Sequence, residues 1–241
     1  MIRAERSDKG QVRLTQRDLE ALTWLSDMKA IAEPDLGVLL GRLAGSDSAV
    51  SASAVRRMIV RWQRAGLAIG RKLMVDQPRI VFLQQAGAQL VGETTWRETA
   101  VWTALHQADV SRARLWLEGQ AVEVPGLPRF TVADWHSERR WRQELGARHG
   151  GKVPVGTHVP DGVVTTPKGK RIAVEVERTP KERRRLDSIM AALLVPGGYD
   201  AVLYLTTAPV IENGVRAAYE RARERGYTVP LGLVPMPGAL T

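Results

Sequence analysis

Apolar residues recur at helical spacing through the first third of the chain, whereas the second half is built from short β-branched runs. The period of the pattern therefore changes along the sequence. Thr15, a residue suited to cap a helix, precedes Leu19, Leu22, Trp24, Leu25 and Met28, which predicts a first helix. Leu36, Val38, Leu39, Leu40 and Leu43 predict a second, with Pro34 in its first turn and Gly45-Ser46-Asp47-Ser48 as the break. A third is expected from Ser51 or Ser53 to about Ala65, where Gly66 supplies the stop. Two strands follow, within Leu67–Leu73 and Arg79–Leu83, around a turn holding Asp76, Gln77 and Pro78.

On the third helix Val55, Met58, Ile59 and Trp62 share one face. Arg57, Val60 and Arg64 lie opposite, with Arg56 and Arg61 at the flanks. An apolar back and an arginine-rich front suit a helix docked on DNA phosphates and base edges. Three helices and a hairpin predict a winged helix-turn-helix over residues 14–98, the wing carrying Arg71, Lys72 and Arg79. A polar arm, residues 1–13 with Arg3, Arg6, Lys9 and Arg13, precedes it and is expected to be flexible. The alternative is a helical bundle with a solvated basic face.

Gln84–Val91 reads as a short helix. Ala100–Leu117 reads as a longer one, with Val101, Trp102, Leu105, Val110, Ala113, Leu115 and Trp116 as its apolar members. That helix either links two domains or supports a homodimer, and tryptophans at such spacing more often belong to a core. Gly119, Pro125, Gly126 and Pro128 mark a boundary, so residues 99–127 are expected to connect the first domain to a second at 128–241. In the second domain Asp134 to about Arg148 reads as a helix that turns Glu138 toward the side of Trp141 and Leu145; pairing of Glu138 with Arg142 on the surface is the alternative. A β-hairpin over His158–Glu177 follows, then a helix opened by the capping box Thr179-Pro180-Lys181-Glu182, with Pro180 at its first position. Ala201–Leu205 is a continuous apolar run typical of a buried strand, followed by a helix from Pro209 to about Arg225 and a last strand, Tyr227–Val234. The predicted fold class is α+β or α/β, a helical N-terminal domain followed by a sandwich.

Composition narrows the partners. The chain has 241 residues, 44% of them hydrophobic, with 35 Lys and Arg against 26 acids and a net charge of +9. That imbalance favours nucleic acid over a membrane, since no basic amphipathic anchor or long apolar span stands out, and the arginine face of the third helix makes double-stranded DNA the expected partner. The N-terminus lacks an apolar leader core, so a cytoplasmic location is expected. There is no cysteine, and His106, His136, His149 and His158 show no metal-ligand spacing, which argues against structural zinc. Gly41-Arg42-Leu43-Ala44-Gly45 lacks the lysine and preceding strand of a phosphate-binding loop, and no triad-like arrangement of Ser and His is present.

The chemistry concentrates in the hairpin. Along Arg171–Glu177, Ile172, Val174 and Val176 point to one face and Ala173, Glu175 and Glu177 to the other, because strand side chains alternate. Asp161 begins the partner strand, within reach across a ladder. Three converging carboxylates repel one another unless a hard cation such as Mg²⁺ or Mn²⁺ neutralises them. The alternative is a solvated sheet face on which Glu175 and Glu177 pair with Lys170, Arg171 and Arg178.

Pro160-Asp161, followed fourteen positions later by Glu175-x-Glu177 with a helix before and after, resembles the core of the PD-(D/E)xK nucleases. The resemblance implies an αβββαβ sandwich with Asp161 and Glu175 as metal ligands, Glu177 assisting, and Glu138 matching the acid that the first helix often contributes. Glu177 stands where these nucleases usually carry Lys. The resemblance then implies that Arg178, Lys181 or Arg183 supplies the positive charge beside the scissile phosphate. With a winged helix in front, the stretch from about Leu14 to Thr207 is similar to the plasmid replication-relaxation family and to mobilisation relaxases of restriction-enzyme-like fold. That similarity implies a mobile-element protein that nicks or processes origin DNA in replication or transfer, alongside replication or mobilisation proteins. The alternative from another class is a non-catalytic DNA-binding regulator whose nuclease-like domain serves dimerisation or partner binding.

Overall fold

The structure is a computed structural model that describes residues 13–93, 96, 99–154 and 157–238. Most of the arm expected at 1–13 lies outside the described residues. Among them are eight helices, a three-stranded sheet and a five-stranded mixed sheet, so the class is mixed α+β. The chain divides into two compact units, one ending at Ala108 and the other beginning at Asp109.

The first unit runs α1 (Gln16–Met28), β1 (Ala30–Ala32), α2 (Glu33–Leu43), α3 (Ala52–Arg64), β2 (Ala68–Arg71), β3 (Ile80–Leu83) and α4 (Gln85–Leu90). The helices form where the apolar periodicity puts them. Strand β1 is only Ala-Ile-Ala, too short to show a pattern, and gains its place by antiparallel pairing with β3, which pairs on its other side with β2. Gly66 ends α3 in the left-handed region at φ 68°, a conformation that suits a residue without Cβ. Leu22, Leu25, Leu36, Leu40, Ile59 and Trp62 are fully buried.

A buried carboxylate holds α1 to α3. Asp18 closes a capping box with Thr15, whose backbone N–H donates to Asp18 Oδ2 at 2.7 Å. Its other oxygen accepts from Trp62 Nε1 at 2.9 Å and from the Arg61 guanidinium. Burial alone would raise the Asp18 pKa, but the hydrogen bonds from Thr15 and Trp62 and the Arg61 charge outweigh it and hold the carboxyl below its ordinary value.

Helix α5 (Val101–Glu118) spans the division between the units. On its first-unit half Ala104 and Ala108 pack on Ala30, Ala32, Ile80 and Phe82. Trp102 departs from the expectation of a core tryptophan: it is 84% exposed, while Ala104, Ala108 and Leu105 form the side of the helix that meets the sheet.

The second unit continues with β4 (Asp134–Ser137), α6 (Glu138–Arg148), β5 (Gly162–Thr165), β6 (Arg171–Glu177), α7 (Arg183–Leu193), β7 (Ala201–Thr206), α8 (Pro209–Glu224) and β8 (Leu231–Pro235). The sheet order is β4-β5-β6-β7-β8, antiparallel across the first two pairings and parallel across the last two. Leu186, Ile189, Met190 and Leu193 of α7 and Ile211, Val215, Ala218 and Ala222 of α8 cover the face that carries Ala173, Val202 and Tyr204.

Two segments differ from their predicted elements. Asp134–Ser137 is a strand, not the first turn of a helix. These residues pair with β5 and bury Trp135, and Ser137 then caps α6 by accepting from the Arg140 backbone N–H. Gly162 makes this possible, since a Cβ there would lie 2.1 Å from the Trp135 ring. Nor does a capping box open α7. Residues 178–182 are non-helical: Lys181 is paired back to Glu177, toward which the Thr179 backbone N–H also points, and α7 begins at Arg183 with Glu182 as an N-cap that makes no side-chain capping bond.

Asp18→Ala should cost about 2–4 kcal/mol of stability, since it strands the buried Trp62 N–H and removes the partner of Arg61. Urea unfolding followed by tryptophan fluorescence measures this, and a loss under about 1 kcal/mol would mean that the carboxylate does not hold α1 to α3.

Candidate functional site

The β5–β6 register, Gly162 opposite Val174, carries one step further to set Asp161 against Glu175. Asp161 Oδ2 accepts from the Val176 backbone N–H at 2.8 Å, which fastens this side chain across the end of β6. In the parallel pairing of β6 with β7, Glu175 lies beside Tyr204 and Glu177 beside Thr206. Both glutamates therefore share the face that α7 and α8 cover, and they are only 8% and 5% exposed. The solvated-face alternative is overturned: Lys170 pairs with Asp200 at 2.8 Å, and Arg178 with Asp109.

Each buried carboxylate has its own partner. His158 Nε2 lies 2.7 Å from Glu175 Oε1. Lys181 forms an ion pair with Glu177, and the Thr179 backbone N–H lies 3.5 Å from that same carboxylate. Burial is the main force raising the Glu175 pKa from 4.5 to about 7; the Asp161 charge adds to it, while His158 and Lys181 oppose it. Burial lowers the Lys181 pKa, the negative charges of Glu175 and Asp161 resist that shift, and Arg185 reinforces it. Tyr204 is fully buried, its phenol pushed well up by burial and by the charges of Glu175 and Asp161, and its hydroxyl has no hydrogen-bond partner among the described residues.

Lys181 is thus the cation gathered with the carboxylates. Arg178 is drawn off to Asp109 on α5, which Arg112 also approaches at 3.5 Å, and Arg183 is an exposed side chain 3.9 Å from Asp187. Glu138 stands close in backbone, its N–H donating to the Asp161 carbonyl at 3.2 Å. Its side chain takes the surface alternative and binds Arg142 at 2.6 Å. Among the described residues no three His, Cys, Asp or Glu side chains form a ready-made metal cage.

The basic residues of the first unit separate into two kinds. Arg61 is bound to buried Asp18, and Arg56 donates to Glu33 at 2.7 Å, with Arg79 3.9 Å from the same glutamate. Arg57 and Arg64 are exposed on α3 and make no ion pair among the described residues; Lys72 and Arg71 are exposed at the end of β2 and just after it. The expectation placed all seven on one binding surface, whereas Arg61 is in part a core tether.

Sequence reasoning missed the pairing of His158 with Glu175 and the place of Tyr204. The signal for His158 was its position three residues before Asp161 on the same extended run. For Tyr204 there was none, since only the parallel register of β7 brings it beside Glu175. No family model, curated protein or solved structure matches the chain.

Folding carries Glu175 from an ordinary carboxylate to a pKa of about 7, so the folded chain holds this proton more tightly than the unfolded one. The contribution to stability is full below the unfolded value of 4.5 and is lost as pH rises through about 7. In buffer containing EDTA, the native chain should lose melting temperature relative to Glu175→Gln between about pH 5 and pH 8. Parallel curves would mean that Glu175 is ionised throughout.

Proposed function

We propose that the chain is a DNA-processing protein of a mobile element: a winged helix that docks on duplex DNA, joined to a nuclease-like unit of PD-(D/E)xK type that nicks origin DNA. The order α1-β1-α2-α3-β2-β3, with sheet order β1-β3-β2, supports a winged helix, in which α3 would be the helix for the groove. The order α5-β4-β5-β6-α7-β7, antiparallel and then parallel, agrees with the nuclease core, with α6 inserted between its first two strands. On this alignment α5, not α6, is the helix before the meander. Glu138 is then a neighbour of Asp161 and not the acid of the first helix.

The observation that carries the reading is the meeting of Asp161, Glu175 and Lys181 at the end of β6. Two adjacent carboxylates, one with its pKa driven to about 7 by burial and by the other's charge, suit a hard divalent cation. Mg²⁺ typically takes one or two carboxylates and completes its shell with water and substrate phosphate, so Asp161 and Glu175 suffice. When bound, the metal lowers the pKa of an attacking water and polarises the phosphate. Glu177 is less suited to ligation because it is tied to Lys181, and it acts as the anchor that turns Lys181 toward the phosphate. His158 orients Glu175. Arg178, engaged by Asp109, braces the end of β6.

The test is relaxation of supercoiled plasmid carrying the protein's own origin, with Mg²⁺, Mn²⁺ or Co²⁺ against EDTA. Glu175→Ala should abolish nicking, and Lys181→Ala should lower it by at least about tenfold, both with duplex affinity unchanged. A native chain that binds duplex DNA but nicks with none of these metals, with or without plasmid-encoded partners, would leave the DNA-binding regulator as the function.

Binding is tested separately. Arg57→Ala with Arg64→Ala should weaken duplex affinity by about tenfold or more at moderate salt and flatten the salt dependence, since each lost phosphate contact removes counterion release. Arg61→Ala should instead lower thermal stability through the loss of the Asp18 pair. Unchanged affinity of the double variant in gel shift, with circular dichroism intact, would remove α3 from the DNA interface.

A further inference from the structure

The outward face of α3 is more specific than a run of positive charge. After its first residue, Ala52, its exposed positions are Ser53, Arg56, Arg57, Val60, Gln63 and Arg64, a stripe opposite the buried Val55, Met58, Ile59 and Trp62. Val60 lies in the middle of that stripe and is 41% exposed. Arg57 lies one turn before it and Arg64 one turn after, neither with an ion pair among the described residues. Arg56 is held by Glu33 and Arg61 by Asp18. A β-branched residue on a solvated helix face adds nothing to the core and has lower helix propensity than alanine. Its two methyl groups are nevertheless held in one rotamer, so an apolar contact costs it little entropy.

We infer that Val60 is a specificity-determining residue, reading the 5-methyl group of a thymine in the major groove between the contacts of Arg57 and Arg64. The inference rests on the proposal that α3 docks on duplex DNA. Of the groups that base pairs present in the major groove, the thymine methyl is the apolar one, and it is the natural partner of an aliphatic side chain surrounded by donors. Residues one turn apart on α3 are separated by about 5.4 Å along the axis, which spans one to two base steps. Arg57 and Arg64 therefore reach the guanine edges or phosphates on either side of the base that Val60 meets. Burying one methyl group against valine is worth about three- to fivefold in affinity.

The test uses the full-length chain in EDTA, so that any cleavage is suppressed. Bound duplexes are selected from a random library, and in the enriched sequence each thymine is replaced singly by deoxyuridine, which removes only the methyl group. One thymine is expected at which replacement weakens binding by the native chain about three- to fivefold and leaves Val60→Ala, an exposed and foldable change, unaffected. Sensitivity at no thymine, or the same sensitivity in Val60→Ala, would overturn the role of Val60 while the DNA-docking reading stands. Failure to bind any duplex would overturn that reading, and this inference with it.

Discussion

The second unit depends on burying two glutamates beside an aspartate on a covered sheet face. Removing carboxylates from water is costly unless each receives a hydrogen bond or an opposite charge. The local structure around the end of β6 supplies these one by one. The Val176 N–H takes Asp161, the His158 ring takes Glu175, and Lys181 takes Glu177. Glu175 remains the strained member. Burial and the Asp161 charge push its pKa up to about 7, against the opposing His158 and Lys181. On the proposed reading, a divalent cation from solution would complete that compensation.

Two departures from regular structure lie beside these carboxylates. Were α7 to begin at Pro180, Lys181 would lie in a helical turn; it lies instead on the extended segment that leaves β6, from which it returns to Glu177. Gly162, the residue after Asp161, is open on the side where Trp135 crosses, which lets β4 pair alongside β5. Tyr204 closes the site from β7 with a hydroxyl that no described residue satisfies.

In the first unit a single carboxylate does comparable work. Asp18 gathers Thr15, Trp62 and Arg61, and with Glu33 on Arg56 it decides which arginines of α3 serve the protein's own cohesion and which remain available to a partner. Counting positive charges along the helix cannot make that distinction, because the acids that draw them off come from α1 and α2.

The sequence by itself determined the elements whose signal is local. Leu22, Leu25, Leu36, Leu40, Ile59 and Trp62 mark helical faces by their spacing, Gly66 marks a stop, and the alternation in Arg171–Glu177 places two glutamates on one side of a strand. Each of these depends on residues a few positions apart and on the fixed periods of helix and strand. What only the tertiary structure decided depends on partners far along the chain. Whether the Glu175 face is wet or buried is settled by α7 and α8, whose packing no property of β6 announces. Asp134–Ser137 becomes a strand because β5 offers an open edge and Gly162 admits Trp135, against a local pattern that reads as helix. The choice of Lys181 over Arg178 follows from Asp109, 69 positions before Arg178, drawing the arginine away. Burial and pairing across such distances are properties of the assembled core, and they set the charge state of the site that local periodicity only located.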